Sequence, residues 1–394
     1  MKVLYIYLDN VTSLGVVKKV KSKIKLLSKS GIEIEGVFLN RKIQSARFED
    51  NISFVPLSIP VLPLLFNRRY IRNFKLHFQN NHDLKYLYKA LNIEVAKREF
   101  DVILFRYPIS NKYLYRFCKK YKNKIVFEHN TKELVELQLN DKRDLDYKNE
   151  LKYGSKVLSN SRGIIGVGHE VVQYQLERSN CPDLSNAVIP NSIEVDELKT
   201  RDIPYFDEIS YNFLFLTGSP SSWVGIDIVL KSLSEFKDVS KKINLYIVGK
   251  ENSKLIQLSD SLNLNASVHF VGEKKGIELD YYFNNCHLAF GTMAMQRVGL
   301  SEGSSLKVLE YASRGIPFVV GYDDNNFENN KAFEPFFLKI PYNNKPFDFQ
   351  KVIVFTNEVF KSKEHPAVMR GLSLKFLDTS LKMKQLSEFL VSLK

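Results

Sequence analysis

Residues 1–40 read MKVLYIYLDNVTSLGVVKKVKSKIKLLSKSGIEIEGVFLN. The run at residues 3–8 is continuously apolar and short, the pattern of a strand buried on both faces. Val17, Val20, Ile24 and Leu27 then recur at three- and four-residue spacing up to Gly31, which describes an amphipathic helix ended by glycine. Residues 32–38 supply the next strand. Strand, helix and strand within forty residues make a βαβ unit of a doubly wound sheet.

Working outward, short apolar runs at residues 101–105, 124–127 and 163–167 repeat the pattern of a parallel sheet. A polar, proline-bearing passage follows Ala187 and runs through Asp202, Pro204 and Asp207, as an interdomain linker would. The pattern then restarts, with strands expected at residues 213–216, 244–248, 268–271, 287–290 and 317–321. The expected fold class is α/β, with two Rossmann-like domains over residues 1–195 and 196–369. The amphipathic stretch 370–394 is expected to pack as a helix back on the first domain.

A length of 394 residues suits two cores better than one. With 44% hydrophobic and 26% charged residues, the composition excludes extended disorder. Cys118, Cys181 and Cys286 lack the short paired spacing of a zinc or redox motif, so no metal site is expected. The start has no signal-peptide pattern, and no apolar run is long enough to span a bilayer, so a cytoplasmic location is expected. The net charge of +13 is uneven: residues 1–200 hold 34 Lys and Arg against 22 Asp and Glu, whereas the remainder is nearly balanced. A basic first half points to an anionic partner, either nucleic acid, an acidic membrane surface or a phosphorylated lipid. Residues 62–78 mix apolar and aromatic side chains with Arg68, Arg69, Arg72 and Lys75, which suits peripheral contact with the inner face of a membrane or a polyprenyl-linked acceptor. No recognisable nucleic-acid module accompanies this charge.

Residues 299–321, GLSEGSSLKVLEYASRGIPFVVG, combine a small polar loop, a helix, a glycine stop and a strand. Ser304 or Ser305 can cap the helix, while Gly315 and Pro317 end it. Unsatisfied N–H groups and the helix dipole make such an N-terminus a diphosphate site, with Gly303 permitting close backbone approach. Glu302 in the loop and Glu310 in the helix can each accept from a pair of sugar or ribose hydroxyls.

This segment resembles the motif of retaining glycosyltransferase family 4, two glutamates separated by seven residues and followed by a Gly-x-Pro strand entry. AVIPNSIEVD at residues 187–196 resembles the family's interdomain passage, with Ser192 in place of glycine. The resemblance implies a GT-B fold with the active site in a cleft between the domains. It implies a donor nucleoside-diphosphate sugar, with uridine diphosphate the favoured carrier, and no cofactor or metal.

Carried over residue by residue, Glu302 approaches the donor sugar, Glu310 binds the ribose, and Ser304, Ser305 and Lys307 lie near the diphosphate. His129, closing the strand in FEHNT, matches a histidine associated with the donor sugar, and Glu128 beside it is a cleft carboxylate. Residues 217–225, TGSPSSWVG, match a loop that normally carries two cations; Gly218 is kept, but Ser219 and Val224 stand at the cationic positions. Lys250, Arg297 or Lys307 are the candidate replacements, with Arg297 preferred for its bidentate guanidinium. On the acceptor side, Gly15 matches a glycine-containing loop, and Arg106, in Arg106-Tyr107-Pro108, matches a passage of polysaccharide-making relatives. The expected reaction is sugar transfer, with retention, to a hydroxyl of a growing lipid-linked glycan. A sugar-nucleotide epimerase of the same fold and a catalytically silent nucleotide-sugar binder are the alternatives.

Overall fold

The computed structural model describes all residues except 9–13, 41, 42, 44, 58–71, 140–142, 219, 220, 329 and 342, and describes the backbone alone at 14–19, 40 and 72–81. It divides into two compact units, Met1–Ile189 with Met383–Lys394, and Pro190–Lys382.

The first unit runs β1 (Lys2–Tyr7), α1 (Leu14–Lys29), β2 (Glu33–Asn40), β3 (Arg47–Glu49), β4 (Ile52–Pro56), α2 (Arg72–Ala96), β5 (Val102–Arg106), α3 (Lys112–Lys120), β6 (Ile125–His129), α4 (Glu133–Gln138), α5 (Asp144–Leu158), β7 (Gly163–Gly166), α6 (His169–Ser179) and β8 (Ser185–Val188). The sheet order is β3-β4-β2-β1-β5-β6-β7-β8. All pairs are parallel except β3 with β4. Strand alternation sorts β1 between two cores. Val3 and Tyr5 pack with Val20, Ile24 and Leu27 of α1 and with Met383, Leu386, Leu390 and Leu393 at the end of the chain. Leu4 and Ile6 pack with Leu91 and Val95 of α2 and Phe117 of α3.

The second unit runs β9 (Ser210–Thr217), α7 (Ile226–Glu235), β10 (Lys242–Gly249), α8 (Ser253–Ser261), β11 (Val268–Gly272), α9 (Ile277–Asn285), β12 (Leu288–Phe290), β13 (Glu302–Gly303), α10 (Leu306–Arg314), β14 (Phe318–Val320), β15 (Asp323–Asp324), β16 (Phe337–Lys339), α11 (Gln350–Phe360) and α12 (His365–Phe376). The last helix, α13 (Thr379–Ser392), carries the chain back to the first unit's residues. The main sheet has the order β11-β10-β9-β12-β14-β16, with β13 and β15 forming a small parallel pair. Every strand expected from the sequence is present with shifted ends, and β3, β4, β8, β13, β15 and β16 are additional.

The passage read as a linker belongs to the second unit, where Arg201 is 4% exposed. Its guanidinium donates to Gly315 O at 2.9 Å, to Cys286 O at 2.5 Å and to His365 Nε2 at 2.6 Å. That set closes the C-terminus of α10 and pins the passage in place.

Candidate active site

In open parallel sheets, ligands bind at the carboxyl ends of the strands where the strand order reverses. In the second unit that point lies between β9 and β12. The loop after β9 and the loop after β12 are locked together there. Met293 N donates to Val224 O at 3.0 Å, and Gly225, at φ +77°, leaves no room for a Cβ against Met293 and Ala294. Gly249 at the end of β10, at φ +146°, is equally constrained, because a Cβ would lie 1.7 Å from Thr217 O. A Cβ at Gly218 would meet nothing within 4 Å, so the chain there borders open space. Ser219 lies outside the described residues.

Arg297, the preferred replacement cation, is engaged otherwise. Its guanidinium makes a bidentate pair with Asp227, at 2.8 and 2.9 Å, and donates to Ser222 O and to Asn344 Oδ1, each at 2.7 Å. Arg297 thus clamps the loop after β9 to the first turn of α7. Lys250 is exposed just beyond β10.

Of the three candidate cations Lys250, Arg297 and Lys307, Lys307 is the one with a buried, unsatisfied head group among the described residues. Its stem is half-buried, its Nζ is sealed from solvent without a hydrogen-bond partner, and the ammonium stands 4.9 Å over the Phe215 ring of β9. Burial pushes its pKa down to about 7. Thr217 Oγ1 at the end of β9 and Thr292 Oγ1 after β12 are also buried without partners. Buried polar atoms are ordinarily satisfied, so these three, unsatisfied among the described residues, are candidate contacts for a polar ligand.

The loop ahead of α10 is held from below. Glu302 and Gly303 pair with Asp323 and Asp324, and Asn325 N donates to Gly303 O at 3.0 Å. Met295 and Tyr322 fill the space beside Gly303: a Cβ there would lie 2.5 Å from the Met295 methyl. Ser304 is not the cap. Its hydroxyl accepts from Asn191 N and from Asn326 Nδ2, each at 2.9 Å. Ser305 occupies the N-cap position yet makes no side-chain bond to the first turn, so the capping role read for these serines is not filled. Asp324 accepts from Tyr322 Oη at 2.6 Å and from Asn326 N at 3.0 Å, and burial pushes its pKa up to about 6. Glu310, one helical step beyond Lys307, accepts from Arg314 Nε at 2.8 Å through Oε1, and Arg314 is fixed in turn by Asp280 at 2.8 Å. Glu310 Oε2 has no partner among the described residues.

In the first unit the corresponding strand ends are Tyr7, Arg106, His129 and Gly166. Gly15 falls inside the first turn of α1, and the rest of its expected loop, residues 9–13, lies outside the described residues. Neighbouring residues of β6 face opposite ways. Glu128 points toward α1, where it accepts from Tyr5 Oη at 3.0 Å and pairs with Lys23. Burial alone would raise its pKa, but Lys23, Tyr5 and the cross-strand Arg106 hold the carboxyl below its ordinary value. Glu128 is therefore an anchored anion on the α1 side. Arg106 is half-buried, with its guanidinium 6.0 Å from the Tyr7 ring.

His129 points the other way and is 1% exposed. Its Nδ1 lies 2.7 Å from Glu133 Oε1, the Tyr107 ring packs against it at 4.2 Å between centroids, and its Nε2 is buried without a partner. Glu133 Oε2 accepts from Gln175 Nε2 at 2.6 Å and from Arg178 Nη1 at 3.0 Å. Arg178 continues to Glu150, which also accepts from Tyr107 Oη at 2.8 Å and from Ser110 N at 2.6 Å. Sequence reading missed this network, as it missed Thr217 and Thr292. The only trace in the sequence is Glu133 four residues after His129.

Among the described residues no three His, Cys, Asp or Glu side chains converge on a metal position, and no helix is long and apolar enough to cross a membrane. Residues 208–345 match the family model described as glycosyl transferases group 1. No curated protein matches the chain by sequence. Solved structures do match in fold. Sucrose-phosphate synthase of Thermosynechococcus elongatus aligns with TM-score 0.69 at 13% identity, over 100% of this chain and 99% of that one. The lipopolysaccharide outer core galactosyltransferase WaaB, in its apo form, aligns with TM-score 0.63 at 14% identity over 100% and 99%. HepE of Anabaena, solved with UDP and glucose, aligns with TM-score 0.64 at 12% identity over 100% of both chains. The chain thus has two Rossmann-like units of the GT-B kind and carries a group 1 glycosyl transferase domain over residues 208–345.

Proposed function

We propose that the chain moves a sugar from a nucleoside-diphosphate sugar, with UDP the favoured carrier, to a hydroxyl of a growing lipid-linked glycan, with retention at the anomeric carbon. The observation that carries the reading is the buried, unpartnered Lys307 ammonium in the first turn of α10, beneath the uncapped helix start. A diphosphate supplies the missing charge, and the α10 N–H groups and Lys307 stabilise it as the leaving group. Glu310 Oε2 takes the ribose hydroxyls, Glu302 approaches the sugar, and His129 meets a sugar hydroxyl. HepE, solved with UDP-glucose, and the galactosyltransferase WaaB support this donor class by likeness of fold.

The test is an incubation with UDP-, GDP- and other nucleotide sugars, with and without glycan acceptors, following nucleotide release and the anomeric configuration of the product by NMR. Acceptor-dependent release with a retained anomer is expected. Inversion would overturn the stereochemical part. An epimerised nucleotide sugar formed without acceptor would establish the epimerase, and binding without turnover the silent binder.

The first unit's basic excess supports peripheral contact with the inner, anionic face of a membrane. Residues 102–127 contain seven Lys and Arg and no Asp or Glu. Arg116, Lys119, Lys120, Lys122 and Lys124 are exposed, as are Lys152 and Lys156 of α5, and Tyr115 and Tyr153 pair between the helices at 6.4 Å. Each Lys or Arg held near an anionic surface contributes about 1 kcal/mol. Of the stretch 62–78 first read for this role, residues 62–71 lie outside the described residues and residues 72–78 are described by their backbone alone. Reversing Lys152 and Lys156 to Glu should weaken sedimentation with phosphatidylserine vesicles; unchanged binding would sink the assignment.

A further inference from the structure

We infer that Glu133 is a positioning residue that holds His129 with its proton on Nδ1 and turns the Nε2 lone pair toward ligand. For the identity of that ligand, a sugar hydroxyl, the inference rests on the function proposed above. The arrangement of the imidazole rests on the first unit alone.

The direction of every hydrogen bond in the network can be worked out from its fixed end. Arg178 has donors only. Its Nη1 donates to Gln175 Oε1 at 3.1 Å, which sets the amide of Gln175 and leaves its NH2 facing Glu133 Oε2 at 2.6 Å. Both groups facing Oε2 are therefore donors. Burial would raise the pKa of Glu133, but a charged His129 and Arg178 outweigh it and hold the carboxyl below its ordinary value, and with the ring neutral the Arg178 guanidinium and the Gln175 amide still face the carboxylate as donors. An ionised carboxylate only accepts. The 2.7 Å contact to His129 Nδ1 must then be an Nδ1–H donation, and in the neutral ring Nε2 is left as an acceptor.

The ring plane is fixed independently. Tyr107 packs against the imidazole with the ring planes tilted by 34° and is itself tied through its hydroxyl to Glu150 and Ser110. Arg178 spans Glu133 and Glu150, so the support behind His129 reaches across α4, α5 and α6. A structural histidine would be expected to satisfy both nitrogens. Here Nδ1 is supported through two further shells while the buried Nε2 has no partner at all. That asymmetry fits a group kept ready for a substrate oxygen.

The network also dictates what Glu133→Gln should do. Gln175 and Arg178 will claim the new amide's oxygen, so its NH2 must turn toward His129 Nδ1. The proton then moves to Nε2, and the acceptor becomes a donor with almost no change in shape. This variant separates tautomer from packing.

The experiment uses the full chain with 15N-labelled histidine and reads imidazole long-range 1H–15N spectra, with His129→Gln identifying the resonance. In the wild type the Nδ1–H tautomer is expected without any ligand, and an Nε2–H tautomer would overturn the inference even if no variant could be made. In Glu133→Gln the Nε2–H tautomer is expected, with kcat for sugar transfer lowered on the order of 10²-fold and donor KM within about twofold. A switched tautomer with unchanged kcat would overturn the positioning role. Should the wild type bind no nucleotide sugar, the proposed function fails while the tautomer result stands as its own answer.

Discussion

Replacing Lys307 by Met should make the ligand-free protein more stable and the donor complex weaker, and both effects follow from one buried ammonium. Its pKa of about 7, against an ordinary value of 10.5, reflects burial without a partner. At 1.36 kcal/mol per tenfold change in proton affinity, charging this lysine in the fold costs on the order of 5 kcal/mol. The unfolded chain keeps the proton up to about pH 10.5, and the folded chain releases it near 7. The unfolded state thus binds more protons between those values, and wild-type stability should rise with pH across that window. Lys307→Met keeps the apolar stem over Phe215, removes the charge and should lose that rise. Near pH 7 its melting temperature should exceed that of the wild type. A charge-assisted bond to a buried anion is worth roughly 1.5–3 kcal/mol, so UDP affinity should fall by about 10- to 100-fold. The assays are thermal melts between pH 6 and 10 and UDP titration by calorimetry. A less stable ligand-free variant, or one that binds UDP like the wild type, would refute the reasoning.

Further expectations test the supports of the two units. A Cβ at position 154 would lie 2.1 Å from Arg178 Nη2 and 2.8 Å from Glu150 Oε1, so Gly154→Ala should separate a buried ion pair. A loss of about 3 kcal/mol or more is expected in denaturant unfolding, and a neutral result would mean that the pair is not held as described. Arg201→Ala strands Gly315 O, Cys286 O and His365 Nε2 as buried acceptors, each costing about 1–3 kcal/mol. Its melting temperature should drop clearly, and wild-type stability would show that residues 190–209 are not pinned by this side chain.

Much of the fold is legible in the sequence because buried parallel strands announce themselves as short apolar runs between helical periods. Strands that fail this description go unread. Residues 185–188 of β8 begin with the exposed Ser185 and Asn186 and merge into the passage taken as a linker. In sequence β4 runs on into a proline-bearing apolar stretch, and β16 has only three residues. The candidate donor loop is legible for another reason: its features are local, with both glutamates, the serines and the helix start inside nine consecutive residues. The supports are not local. Glu133, Glu150 and Arg178 look like ordinary surface charges on three helices until packing buries them together. Lys307 and Arg297 read alike as candidate cations until packing separates them: Lys307 Nζ is buried over Phe215, whereas Asp227 claims Arg297.

A crystal structure of the chain with UDP would test the proposed donor site at atomic level. The diphosphate is expected at the first turn of α10 within hydrogen-bond reach of Lys307 Nζ, and the ribose hydroxyls on Glu310 Oε2. A nucleotide bound elsewhere, or one whose phosphates leave Lys307 unpartnered, would contradict that site.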